Sequence, residues 1–224
     1  MTLAHLLREP AGAPQGALIL NHGRGADEHD LFGLLDAIDP DRRLLGVTPG
    51  APLSAADVAG RSALPVGPGG RHWYAVERVG YPEAESFASA YAGLAGFVDS
   101  LLAEYGIDWS KAILGGFSMG AVMSYAVGLG PSRPRPAAII ALSGFVPTVD
   151  GWEPELSSRA GLPVLIHHGA ADPVIGVEFG REAARLLSAA GLEVDYRESG
   201  AGHWVPPELI APLASLVASV IPQA

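Results

Sequence analysis

The 224-residue chain contains no cysteine. That excludes disulfides, thiolate metal sites and a cysteine nucleophile, and it is compatible with the cytoplasm. Lysine and asparagine are nearly absent as well, with Lys111 and Asn21 the single examples. Bases are few, 14 against 24 acids, which leaves a net charge of −10. A chain so poor in positive charge has little with which to hold phosphates, which argues against a nucleic-acid partner. No uninterrupted apolar run approaches the ~18 residues of a membrane span. Met1 to Pro10 lacks the apolar core of a signal peptide and is interrupted by Arg8 and Glu9. The expectation is a soluble cytoplasmic protein with no membrane span. Apolar residues make up 49% and charged residues only 17%, the balance of a compact globule. With no linker, charge block or repeat to divide it, the chain reads as one α/β domain over 1–224. Its heavy use of Ala, Gly, Arg and Pro fits the coding bias of a GC-rich bacterial genome.

What is present centres on residues 111–128. The apolar run Ala112 to Leu114 enters paired glycines, then Gly116-Phe117-Ser118-Met119-Gly120, then a helix-forming stretch from Ala121 to Val127. This reads as a buried strand, a tight turn and a helix. Glycines at 116 and 120 let strand and helix pack closely. The serine at the tip would be strained, with its hydroxyl projecting outward. The Met119 N–H would lie at the helix start, where free donors and the helix dipole favour negative charge. That suits a nucleophile whose attack creates an oxyanion.

Along the chain, Thr2–Arg8 is a candidate edge strand. Ala17–Leu20 reads as a strand buried on both faces. The loop Asn21 to Asp30 follows, with Asp27 or Asp30 as candidate caps for a helix from about Leu31 to Ile38. Arg43–Thr48 is the next strand. Pro49 to Glu85 reads as one long irregular stretch, of the kind that is usually functional or mobile. It holds Arg71-His72-Trp73-Tyr74, the densest aromatic spot. Trp73 there either walls a substrate pocket or anchors the loop to the core. Ser86–Tyr105 has helical spacing and ends at Gly106. Strands are expected at Ala138–Leu142, Pro163–His167 and Glu193–Arg197. Helices are expected at Val177–Ala190 and from Pro206 or Pro207 to about Val220. Alternating strands and helices give a mainly parallel sheet covered on both faces, with functional loops at the carboxyl ends of the strands.

Ser118, Asp172 and His203 each fall just beyond a predicted strand, in the order serine, acid, histidine that this architecture uses. A serine hydroxyl needs a base to take its proton. Histidine titrates near neutrality and can serve as base and then acid. A carboxylate holds the imidazole in the right tautomer. Asp150 and Asp195 are rival acids. The first falls too early in strand order, and the second lies within a predicted strand. His167 and His168 precede the acid and suit packing roles, and His22 suits a local bond that shapes its glycine loop. The backbone N–H groups of Met119 and Arg24 are the candidate oxyanion donors. The Arg24 side chain points either to solvent or to an anionic part of the substrate. Asp27 to Asp30 offer metal-ligand types, but adjacent residues diverge, so they read as a loop and cap cluster. No zinc signature or phosphate-binding loop occurs, and neither metal nor cofactor is expected.

The segments His22 to Glu28, Gly116 to Gly120, His168-Gly169 with Asp172-Pro173-Val174, and Gly202-His203 together resemble the phospholipase/carboxylesterase family of small α/β-hydrolases. That family includes bacterial carboxylesterases and acyl-protein thioesterases. The resemblance spans nearly the whole chain. It implies an α/β-hydrolase fold without a large cap, a Ser118–Asp172–His203 triad, oxyanion donors at Arg24 and Met119, and an acyl site bordered by the segment around Trp73. Many members carry glutamine where this chain has Met119. The implied activity is hydrolysis of small-molecule esters of short to medium acyl length through an acyl-enzyme. The alternatives are thioesterase or lysophospholipase action at the same site, or a non-catalytic small-ligand binder. Apolar surface on the outer helices would allow pairing as a homodimer.

Overall fold

Short, almost wholly buried apolar runs make the strands. Their composition is that of a sheet covered on both faces, since a one-sided sheet would alternate with polar residues. The structure, a computed structural model, describes residues 3–221. Its main sheet has seven strands: β1 (His5–Arg8), β2 (Ala17–Asn21), β3 (Leu45–Pro49), β4 (Ala112–Phe117), β5 (Ala138–Leu142), β6 (Pro163–Gly169) and β7 (Glu193–Ser199). Their spatial order is β1-β3-β2-β4-β5-β6-β7. β1 runs antiparallel to β3, and every other neighbouring pair is parallel. Thr2, included in the expected edge strand, lies outside the described residues.

Side chains alternate across this sheet and feed two cores. Ala17 and Ile19 join a core beneath α2 (Ala84–Glu104), α3 (Met119–Leu129) and α4 (Val177–Ala189). Leu18 and Leu20 join the opposite core, closed by α1 (Phe32–Ile38) and α5 (Ile210–Val220). Every residue of α3 is buried, as expected of a helix apolar on all sides. α2 is long and apolar enough, by length and composition, to cross a membrane, but half of that window is buried within the protein. It ends in a left-handed glycine: Gly106 has φ 64, and the Ile107 N–H donates to the Leu102 carbonyl at 2.8 Å.

Two expectations need correction. Neither Asp27 nor Asp30 caps α1. The cap position is Leu31, without a side-chain bond, and the Asp27 carboxylate accepts instead from the His29 N–H at 2.9 Å. The stretch from Pro49 to Glu85 is not one irregular loop. It holds a short helix, Ala55–Val58, capped by Ser54. It also holds two small antiparallel pairs, Leu53–Ser54 with Arg71–His72 and Val76–Arg78 with Tyr81–Pro82.

The edge strand is tied down by charge. Arg8, buried, donates to the Asp39 carboxylate at 2.5 Å and to the carbonyls of Leu35, Asp39 and Leu44. Among the described residues no large cap covers the carboxyl edge of the sheet, where the loops that follow β2, β4, β6 and β7 meet.

Candidate active site

Ser118 sits between β4 and α3 at φ 55 and ψ −120, a backbone region that a residue with a Cβ rarely occupies. Its neighbours force the conformation. A Cβ on Gly116 would lie 2.5 Å from the Gly120 carbonyl, and one on Gly120 would overlap the Asn21 carbonyl. The strand, the turn and the loop after β2 are therefore in backbone contact, which only glycines permit. Ser118 is almost fully buried, 6% exposed.

His203, in the loop after β7, bridges two partners. Its Nε2 stands 2.9 Å from Ser118 Oγ and its Nδ1 2.7 Å from Asp172 Oδ2. Asp172 follows β6 and is fully enclosed, while the imidazole keeps 17% of its surface. The other carboxylate oxygen accepts from the N–H groups of Val174 at 2.8 Å and Ile175 at 3.0 Å. Burial pushes the Asp172 carboxyl up, but the His203 bond and these two N–H donors outweigh it, so its pKa lies below the ordinary carboxylate value. The carboxylate is thus charged at neutral pH and accepts the Nδ1–H, which leaves Nε2 free to take a proton from Ser118.

The loop after β2 lies against the same serine, since a Cβ on Gly23 would come 3.5 Å from Ser118 Cβ. Among the described residues, the backbone N–H groups of Arg24 and Met119 donate to no other group. The Arg24 side chain takes neither of its expected directions. Its guanidinium bonds the carbonyls of Leu64 and Pro65 and ties down the segment over the cavity mouth.

The rivals are occupied elsewhere. His22 Nδ1–H donates to the Gly23 carbonyl at 2.7 Å and its Nε2 accepts from Ala51 N–H at 3.0 Å, a neutral ring shaping its own loop. His167 bonds Ser199 Oγ and His168 the Ile175 carbonyl. Asp195 pairs with Arg197 on the surface, and Asp150 lies beside a different concavity, with Trp152. Asp27, Glu28 and His29 bring ligand-type atoms within 4.8 Å of one another, partly through bonds from His29 to Asp27.

A cavity of about 570 Å³ opens onto Ser118 and His203, with Phe117, Met119, Phe145 and Ile175 in its wall. Trp73 is not part of it. Trp73 is wholly enclosed, its indole N–H donates to the His22 carbonyl at 3.0 Å, and its ring leans on His22 at 5.5 Å. The expectation of Trp73 as a substrate wall is corrected to the loop-anchoring alternative. The residues on the other side of the same segment, His72, Tyr74 and Val76, line the cavity instead, together with Arg78. Sequence reasoning missed them, although a period-two reading of 72, 74 and 76 against 73 would have separated the two sides.

A mainly parallel sheet carrying a strained serine at a strand-to-helix turn, bonded through histidine to a buried carboxylate, defines the α/β-hydrolase class. Comparison with known proteins narrows this. The phospholipase/carboxylesterase family model matches residues 5–220, and the chain belongs to that family of serine hydrolases acting on ester bonds. It is 26% identical to acyl-protein thioesterase 1 of Candida albicans over 233 residues, 96% of this chain and 97% of that protein. It is 29% identical to the Debaryomyces hansenii acyl-protein thioesterase 1 over 153 residues, 66% of this chain and 62% of that one. Among solved structures it is similar to esterase PE8, with a TM-score of 0.79 and 25% identity, covering 98% of this chain and 100% of that one.

Proposed function

We propose that the protein hydrolyses small carboxylic esters of short to medium acyl length through an acyl-enzyme. The observation that carries this reading is the bridging imidazole, bonded to Ser118 at one nitrogen and to Asp172 at the other. Ser118 Oγ attacks the ester carbonyl while His203 Nε2 takes its proton. The oxyanion is held by the N–H groups of Met119 and Arg24, each worth about 10²–10³ in turnover by comparison with known oxyanion donors. His203 then protonates the departing alcohol, and the same imidazole activates the water that releases the acid. The absence of a large cap among the described residues, which would shelter a long chain, supports shorter acyl groups.

Ser118→Ala should abolish hydrolysis of p-nitrophenyl butyrate with the fold unchanged by circular dichroism. A fluorophosphonate should label wild-type protein at Ser118 and not the variant. Turnover close to wild type in Ser118→Ala would reject the reading. The relatives that are named thioesterases favour thioesters as a second substrate class at the same site. Esters and thioesters of matched, graded acyl length decide between the two.

A further inference from the structure

We infer that Val174 and Trp204 form a subsite for the alcohol portion of the substrate, and that it selects esters of aromatic or other bulky apolar alcohols. This rests on the hydrolase reading above. In acylation the bond from Ser118 Oγ to the carbonyl carbon forms and the bond from that carbon to the alcohol oxygen breaks. The serine proton passes to His203 Nε2 and from there to the departing oxygen. That oxygen must therefore come within hydrogen-bond reach of Nε2, so the alcohol portion leaves on the His203 side.

Val174 and Trp204, 51% and 56% exposed, are the large apolar side chains that stand out into solvent among the described residues. Elsewhere the protein encloses such groups: Trp73 and Trp152 are 0% and 6% exposed. Single exposed apolar residues are ordinary, but these two sit within the two loops that carry Asp172 and His203. Val174 lines the cavity, and its own N–H donates to Asp172 Oδ1 at 2.8 Å, so the carboxylate that orients His203 also fixes Val174. Trp204 follows His203 directly. Its ring is laid against Gly202, where an added Cβ would come 3.0 Å from the indole Cε3, and the rest of the side chain is open. Phe117 continues the apolar surface into the cavity, with its ring 4.7 Å from the His203 ring. An apolar alcohol leaving past His203 thus meets Phe117 and Val174 in the cavity wall, and Trp204, the next residue after His203, stands exposed beyond that wall.

The test compares benzyl butyrate with ethyl butyrate, whose alcohols have similar acidity but different apolar area. Wild type should prefer the benzyl ester in kcat/KM. Trp204→Ala should cut that preference about tenfold, the scale of one lost aromatic contact, and Trp204→Phe should restore most of it. Val174→Thr, a change of little volume, should lower it less. Deacylation of the common butyryl-enzyme should be the same in wild type and in both Trp204 variants, because the alcohol has gone by then. An equal fall on both esters, or an unchanged preference, would overturn the subsite while leaving the hydrolase reading intact. Wild-type protein that a fluorophosphonate does not label would remove both.

Discussion

At Ser118 a serine is held where its own preferences would not put it. Residues in such backbone regions cost on the order of 1–3 kcal/mol and persist only where their surroundings over-determine them. Gly116, Gly120 and the Asn21 carbonyl supply those surroundings here. The identity of the residue was plain in its motif, whereas the distances to its partners were not. Asp172→Asn should keep the geometry but favour the wrong imidazole tautomer, with kcat falling by about 10⁴ and the near-ultraviolet spectrum unchanged. A fall of less than tenfold would remove Asp172 from the proposed relay. Arg24 tests a different point. Only its backbone is assigned to the oxyanion, while its guanidinium holds the carbonyls of Leu64 and Pro65. Arg24→Met should therefore raise KM through a looser cavity mouth and leave kcat within about tenfold, well short of the loss of an oxyanion donor. A hundredfold drop in kcat at unchanged KM would mean that the side chain itself meets the transition state. Trp73 shows where residue-level reading ran out. Its aromatic neighbourhood is legible in the sequence, but which side of a short extended segment faces the cavity depends on what packs behind it. Here the His22 carbonyl takes the indole N–H, while the Trp73 backbone N–H donates to Met119 Sδ.

Elements joined by backbone contact tolerate no added atoms. Gly120→Ala would drive a Cβ into the Asn21 carbonyl, pushing α3 off the loop after β2. It should cost about 3 kcal/mol or more, read as a lower urea midpoint, and it should remove activity even where folded protein is recovered. The edge strand is held in another way. Asp39→Ala strands the buried Arg8 guanidinium and should cost about 3–5 kcal/mol, whereas Asp36→Ala, at a half-exposed carboxylate, should leave the urea midpoint nearly unchanged. Helix and strand existence was legible because apolar period and glycine punctuation are local signals. The cap of α1 was not. A short acidic loop offers several competing bonds, and Asp27 went to His29. The small pairs within 49–85 were also illegible, because strands of two or three residues carry too few side chains to show a period.

Across the whole molecule, enclosed histidines set the response to acid. Burial holds the pKa values of His22, His72 and His167 below the ordinary imidazole value. A depressed group contributes its full stability above its unfolded pKa and loses it as pH falls through the folded one. Stability should therefore begin to decline below about pH 6.5, ahead of the carboxylate range. Urea midpoints from pH 8 to 5 would show it, and His72→Phe should flatten part of the slope; a midpoint constant down to pH 5 would contradict the assignment. An imidazole that must accept the serine proton cannot act once it is protonated, so with His203 as the proposed base kcat/KM should fall on the acid side. Activity level from about pH 5 to 8 would count against His203.

The order of strands and helices, the strained serine turn and the chemical types of the three candidate residues were determined by the sequence alone. Each is written in neighbouring residues or in chain order, and needs no distant partner to be read. The tertiary structure alone decided that His203 reaches both Ser118 and Asp172, that His72, Tyr74 and Val76 face the cavity while Trp73 turns away, and that Arg24 holds a loop. These are choices among sides and partners, and they depend on which chain segments, far apart in sequence, happen to occupy the space on either face.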